Sequence, residues 1–179
     1  LLLVAVGAVV FHFMNKPLPE PKRITRATIL PPAKINFNVS NGGHIAVSPD
    51  GQKVAFVATD TTGTNQLWVR PVESLTPVPL VGTNGAGYPF WSRDGKSLAF
   101  FADGKLKKID AAGGPVVTIC DAADGRGGTW NTAGMIVFSP TSLDGLYKVS
   151  AAGGVPVAVT KLRSEEHTSE LQSPYVISY

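Results

Sequence analysis

Residues Val47 to Phe56, VSPDGQKVAF, return 44 positions later as WSRDGKSLAF, Trp91 to Phe100, with five of the ten residues identical. In Ser48-Pro49-Asp50-Gly51 the proline presets the first turn angle, the aspartate carboxylate accepts backbone donors, and the glycine takes the positive φ that closes a hairpin. The repeated phrase is a turn instruction. After it, Val54 and Phe56, and again Leu98 and Phe100, alternate with their neighbours in the two-residue period of a strand. Their apolar side is expected to face the next module, because a lone module cannot bury both of its faces.

The repeat extends over a period of roughly 40 residues, a spacing that signals a propeller or a solenoid. Ala111-Ala112-Gly113-Gly114 recurs as Ala151-Ala152-Gly153-Gly154, and Leu67, Leu106 and Leu146 are spaced by 39 and 40 positions. Each unit holds four strand-like runs: HIAV, KVAFVA, QLWVRP and TPVPL; then YPFW, SLAFFA, KLKKID and PVVTIC; then GTWN, MIVFS, GLYKVS and VPVAVT. Helical periodicity is absent, and four antiparallel strands joined by hairpins make a propeller blade. The predicted fold is therefore all-β: an incomplete β-propeller of about three four-stranded antiparallel blades, at about 44–81, 87–120 and 128–160. The turn decays along the chain, with Arg93 in the place of Pro49 and Thr132-Ala133-Gly134 where aspartate-glycine would stand. Glycine survives, as its freedom at positive φ requires. Phe90, Trp91, Trp68 and Trp130 are expected to wedge between blades, each burying a large apolar area.

Composition agrees with this reading. The chain of 179 residues is 44% hydrophobic and 16% charged, with 19 glycines and 14 prolines, a balance suited to short strands and tight turns. A formal charge of +3, with the basic residues scattered, gives no footprint for nucleic acid. The sole cysteine, Cys120, has no disulfide partner and no metal-ligand spacing, and reads as a small buried apolar residue.

The two ends follow other rules. Residues 1–15 open on LLLVAVGAVVFHFM, which we read as the remainder of a longer membrane-spanning helix that would tie the chain to a membrane. A signal-peptide core is the competing reading, although Phe11, His12, Phe13 and Met14 stand where small residues would permit cleavage. Residues 16–43 form a spacer that Pro17, Pro19, Pro21, Pro31 and Pro32 hold extended, followed by a lone strand, KINFNV, Lys34 to Val39. The blades occupy 44–162. Residues 163–179 begin RSEEHTSELQS, which resembles one translated frame of a sequencing-library adapter, so that Glu165, Glu166, Glu170 and His167 are not assigned to any site. A short polar helix is the alternative there.

The units resemble those of TolB-type β-propellers, whose mark is a serine-proline-aspartate-glycine turn followed by an apolar strand. More specifically, GTNGAGYPFWSRDGKSLAFFADGKLKKIDAAGGP and GRGGTWNTAGMIVFSP resemble the propeller that follows the membrane helix in a group of bacterial serine/threonine protein kinases. The resemblance covers about residues 1–160, and the order of apolar span, proline-rich spacer and propeller fits it as well. It implies a non-catalytic extracytoplasmic propeller for ligand sensing or protein interaction, set by a single span in a bacterial inner membrane. The family's catalytic motifs have no counterpart in this chain, so no catalytic residue and no cofactor is carried over. Lys16, Lys22, Arg23 and Arg26 after the span run against that orientation under the positive-inside rule. Two other parents use such propellers: a prolyl-oligopeptidase-like serine peptidase, where the propeller gates the site, and a membrane-bound winged-helix transcription regulator, where it senses.

Residues that suggest chemistry have plainer readings. Gly82-Thr83-Asn84-Gly85-Ala86-Gly87 lacks the lysine and the following helix of a phosphate-binding loop and reads as a turn between blades. His44 belongs to no nucleophilic motif, and no G-x-S-x-G elbow occurs. Asp103, Asp110, Asp121 and Asp124 sit singly in turns without the dense oxygen spacing of a calcium loop, so no metal site is expected. Lys105, Lys107 and Lys108 read as a charged strand face or edge rather than an anion site. Propellers expose the loops entering their innermost strands, which makes Tyr88 and Arg126 the binding candidates for an unknown protein or small-molecule ligand.

Overall fold

The computed structural model describes residues 35–37 and 45–161. The expected membrane helix, spacer, adapter-like tail and His44 lie outside the described residues. Among those described, the chain forms thirteen strands and no helix, and so no helix long and apolar enough to cross a membrane.

Three antiparallel sheets follow one another in sequence. The first holds β1 (Asn36–Phe37), β2 (Ile45–Val47), β3 (Lys53–Thr59), β4 (Asn65–Pro71) and β5 (Val78–Pro79). In the second, β6 (Gly87–Trp91), β7 (Ser97–Ala102), β8 (Lys105–Asp110) and β9 (Val117–Asp121) pair in chain order. The third repeats that order with β10 (Gly128–Trp130), β11 (Met135–Phe138), β12 (Tyr147–Ser150) and β13 (Val157–Ala158). These are three blades of an incomplete propeller. The strand expected to stand alone does not: Asn36 and Phe37 pair with Thr59 and Ala58 on the same edge of β3 that β2 occupies further along. Sequence distance hid this pairing, which becomes visible only as the Phe37 ring meets Phe56 edge-on at 5.2 Å.

The opening turn forms as its residues dictate. Ser48 N–H donates to Lys53 O, Lys53 N–H donates back to Ser48 Oγ, and Asp50 Oδ1 accepts from Ser48 Oγ and from Gln52 N–H. Gly51 closes the turn at φ 72°, and the same circuit recurs at Ser92, Asp94 and Gly95. In the third blade Asn131 supplies the acceptor instead, its Oδ1 taking the Met135 N–H at 2.9 Å. That exchange explains how the turn survives without its aspartate: a carboxamide oxygen replaces the serine hydroxyl and satisfies the same strand-opening donor.

Each blade has two unlike faces, and alternate strand residues divide between them. Ala55, Val57, Leu67 and Val69 of the first blade meet Leu98, Phe100 and Ile109 of the second. On the other side of the second blade, Phe90, Ala99, Phe101 and Leu106 meet Ile136, Phe138 and Val149 of the third. Leu98 and Phe100 are thus covered by the preceding blade rather than by the next. Their counterparts Val54 and Phe56 are likewise buried, on the side of β3 opposite to Ala55 and Val57. Two polar contacts lock adjacent blades: Trp91 Nε1 donates to Ala46 O at 3.0 Å, and Lys108 Nζ donates to Ala151 O at 2.7 Å. Trp91, Phe90 and Trp130 wedge as expected, whereas Trp68 points to the face of β4 turned away from the second blade, opposite to Leu67 and Val69.

Cys120 packs in the second core, and burial, with a lesser effect from the Asp121 carboxylate, pushes its thiol pKa up from 9.0 to about 11. Alkylation by iodoacetamide near pH 9 is therefore expected to be slow in the folded chain and fast in denaturant, since the thiolate is the nucleophile. The raised value also sets a stability window. The protonated thiol's contribution is complete below pH 9 and is lost as pH rises from 9 toward 11. Equal alkylation rates with and without denaturant would contradict this placement.

Candidate functional site

Two loop sets meet at the end of the blades where β6 begins: the connections into β6 and β10, and the hairpin between β7 and β8. The hairpin is a two-residue Asp103-Gly104 turn with both residues at positive φ, 53° and 69°, as the twist of a tight hairpin demands. The connection into β6 is less ordinary. The β6–β7 register shifts between Gly87 and Phe90, and Tyr88 adopts φ 50° directly before Pro89. A bulky residue in that region costs about 1–3 kcal/mol and persists only where its surroundings fix it.

What fixes Tyr88 is the connection into β10. Arg126 Nη1 donates to Tyr88 Oη at 3.0 Å, the guanidinium carbon lies 5.9 Å from the centre of the Tyr88 ring, and Arg126 Nη2 pairs with Asp124 Oδ2 at 2.6 Å. The two residues singled out from sequence, 38 positions apart, are thus bonded to each other. The Tyr88 hydroxyl, and then the Asp124 carboxylate, hold the Arg126 pKa above its usual value. The backbone of the second connection is pinned by Asp124 N–H to Pro140 O and Arg126 N–H to Ser139 O. Asp124 is thus more than a turn carboxylate, and its spacing of two from Arg126 is the sequence signal for the pair.

Beside this cluster lies a cavity of about 210 Å³ floored by Ala86, Phe101, Ala122 and Gly125. Gly125 is required there, because a Cβ on it would stand 1.9 Å from Cδ1 of the Phe101 ring. Gly125→Ala is expected to push Phe101 out of its stack with Phe90 and Phe138 and to cost about 1–3 kcal/mol. Gly125 does not adopt a positive φ, so a denaturant-midpoint penalty for Gly125→Ala that shrinks in a Phe101→Ala background would assign the cost to packing against that ring.

The other candidates have structural employment. Thr83 is fully buried, donating to Leu80 O at 2.6 Å and accepting from Leu67 N–H at 3.0 Å, so the glycine-rich loop is a blade-to-blade turn tied by its hydroxyl. Asp103 pairs with Lys107, Asp121 with Lys105, and Asp110 accepts the Ala112 N–H. β8 is paired on both sides, so its lysines do not guard an edge; each reaches an acceptor of its own. Among the described residues no group of three or more His, Cys, Asp or Glu side chains is placed to hold a metal ion. The mouth offers an aromatic face, a guanidinium and backbone groups of a glycine-rich rim, which are elements of recognition.

No protein-family model matches the chain, and no curated protein does. Solved structures do match. A TolB structure from Agrobacterium tumefaciens superposes with TM-score 0.54 at 18% identity, over 65% of this chain and 48% of that one. TolB from Acinetobacter baumannii gives 0.53 at 17% identity, over 70% of this chain and 33% of that one. The fold is that of a TolB-like propeller. A nidogen/laminin complex superposes with TM-score 0.52 at 11% identity, over 65% of this chain and 47% of that one. The chain spans about half of the first TolB-like propeller structure and a third of the second.

Proposed function

We propose that this TolB-like propeller is the non-catalytic, extracytoplasmic sensing or interaction part of a membrane-anchored bacterial serine/threonine protein kinase, and that it takes its ligand or partner at the Tyr88–Arg126 mouth. The observation that carries the binding role is the strained Tyr88 backbone clamped by Arg126 across two blades. Strain of this kind is retained at binding sites because it presets the geometry of contact. The kinase parent is supported by the quoted string Gly82 to Pro115 and by the order of apolar stretch, proline-rich stretch and blades. In this role the membrane segment localises the propeller, and occupancy of the mouth is passed to the domain on the other side.

Three measurements test the reading. The gene frame upstream should encode a kinase aspartate-phenylalanine-glycine motif, and a nucleophile elbow downstream would replace the proposal with a gating propeller. In spheroplasts of the source bacterium, externally added protease should cut the propeller while an inner-membrane cytoplasmic marker survives. Protection of the propeller would place it on the cytoplasmic side and overturn the sensing role. The 179-residue chain incubated with ATP and a protein substrate should transfer no phosphate.

A further inference from the structure

At the opposite end of β6 from Tyr88, the turns that open the second and third blades line an open cavity of about 320 Å³. Comparing the repeats shows why it exists. Between the first and second turns the gap is filled: Pro49 Cδ lies 3.7 Å from where a Cβ on Gly95 would stand. Between the second and third, Arg93 occupies the place of Pro49, and nothing lies within 4 Å of the corresponding position at Gly134. The tryptophans differ in the same sense. Trp91 is 7% exposed and spends its indole N–H on Ala46 O, whereas Trp130, one blade on, is half-buried and lines the cavity.

The polar rim is chemically specific. Asp94 Oδ1 is consumed by the turn, accepting from Ser92 Oγ and Lys96 N–H, while Oδ2 makes no hydrogen bond among the described residues. Asn131 Oδ1 is likewise consumed by Met135 N–H, which leaves its amide donors turned to other use. Arg93 is exposed and makes no ion pair among the described residues. Ser97 and Thr132 complete the lining. An acceptor-only carboxylate, an amide and a guanidinium as donors, and two hydroxyls thus surround an indole. Such a set matches a ring that carries polar groups at its edge and C–H groups on its face.

We infer that this cavity between the second and third blades binds a pyranose sugar unit, whose C–H face lies on Trp130 and whose neighbouring hydroxyls are shared between Asp94 Oδ2 and the donors of Arg93 and Asn131. The ionised state of Asp94, whose pKa is lowered first by the Ser92 hydroxyl and then by the Lys96 N–H, keeps the carboxylate an acceptor through the neutral range. The site lies away from the Tyr88–Arg126 mouth and does not depend on the kinase parent.

Saturation-transfer difference NMR tests it, since the readout is on the ligand and tolerates a large or self-associated protein. The probes are maltotriose, cellotriose, chitotriose and trigalacturonate, each added to the 179-residue chain, with a glycine-rich tripeptide as control. The expected result is transfer to the ring C–H protons of at least one sugar, abolished by Trp130→Ala and weakened about tenfold by Arg93→Ala, the loss of one charge-assisted hydrogen bond. Arg93→Ala removes a side chain without an ion pair in the fold, so its effect is not one of unfolding. Transfer to none of the four sugars, transfer to the tripeptide alone, or transfer unchanged in Arg93→Ala would each overturn the assignment.

Discussion

Phe100→Ala is expected to cost about 3–5 kcal/mol, the range for emptying a large aromatic site in a packed core. Phe100 is fully buried and lies between Ala55, Val57 and Leu67 on one blade and Leu98 and Ile109 on its own. Neither sheet can close the space by a side-chain shift alone, because both are held in register by ladders on either side. Domain stabilities of about 5–15 kcal/mol make such a loss a large fraction of the whole. The effect should also be local in pattern: amide protection is expected to fall across β3, β4 and β7 and to persist in β11 and β12, which pack on the other face of the second blade. Phe100→Leu, which keeps most of the volume, should recover more than half of the loss. A change below about 1 kcal/mol, the level of an ordinary substitution, would show that the two blades do not share this core.

The same residues explain how far the sequence could be read. The turns and strands were legible because each is written locally: Ser48 to Gly51 names its hydrogen bonds, and the alternation after it names its faces. What was illegible depends on partners distant in sequence. Phe37 gives no sign that its strand closes on Thr59 and Ala58, and the side on which Trp68 falls follows only once the pairing of β3 with β4 is known. At the mouth, the place of Tyr88 and Arg126 at neighbouring strand entries is legible in the sequence, and that place brings them together. The left-handed backbone of Tyr88 was not visible, because tyrosine before proline ordinarily signals an extended residue. The cavity at Trp130 stood in the sequence as a loss, Arg93 for Pro49 and Ala133 for Asp50. A departure from a repeat names the position of a site without naming its chemistry.

The three-blade body made alone, residues 34–162, is expected to self-associate or remain partly molten, and the reason is one face. In the second blade Leu106 and Ile119 lie against the third and are 0% and 5% exposed; their repeats in the third, Leu146 and Val159, are 44% and 51% exposed. Val155 and Val157 beside them are exposed as well. In a body cut at 162, Lys148, the repeat of Lys108, is left without a following blade whose backbone carbonyl it could cap as Lys108 caps Ala151. A contiguous apolar surface of this kind, next to unpaired strand backbone, draws another copy onto itself. The double substitution Leu146→Lys and Val159→Lys should therefore shift the material toward monomer in sedimentation velocity, with no loss of amide protection in β6 to β8. Leu75→Lys, at a position 89% exposed in a loop outside that face, is the control and should change nothing. A monodisperse native fragment that melts in one cooperative step would show that the third blade needs no cover. Equal association of the native and double-lysine fragments would move the cause to some other surface.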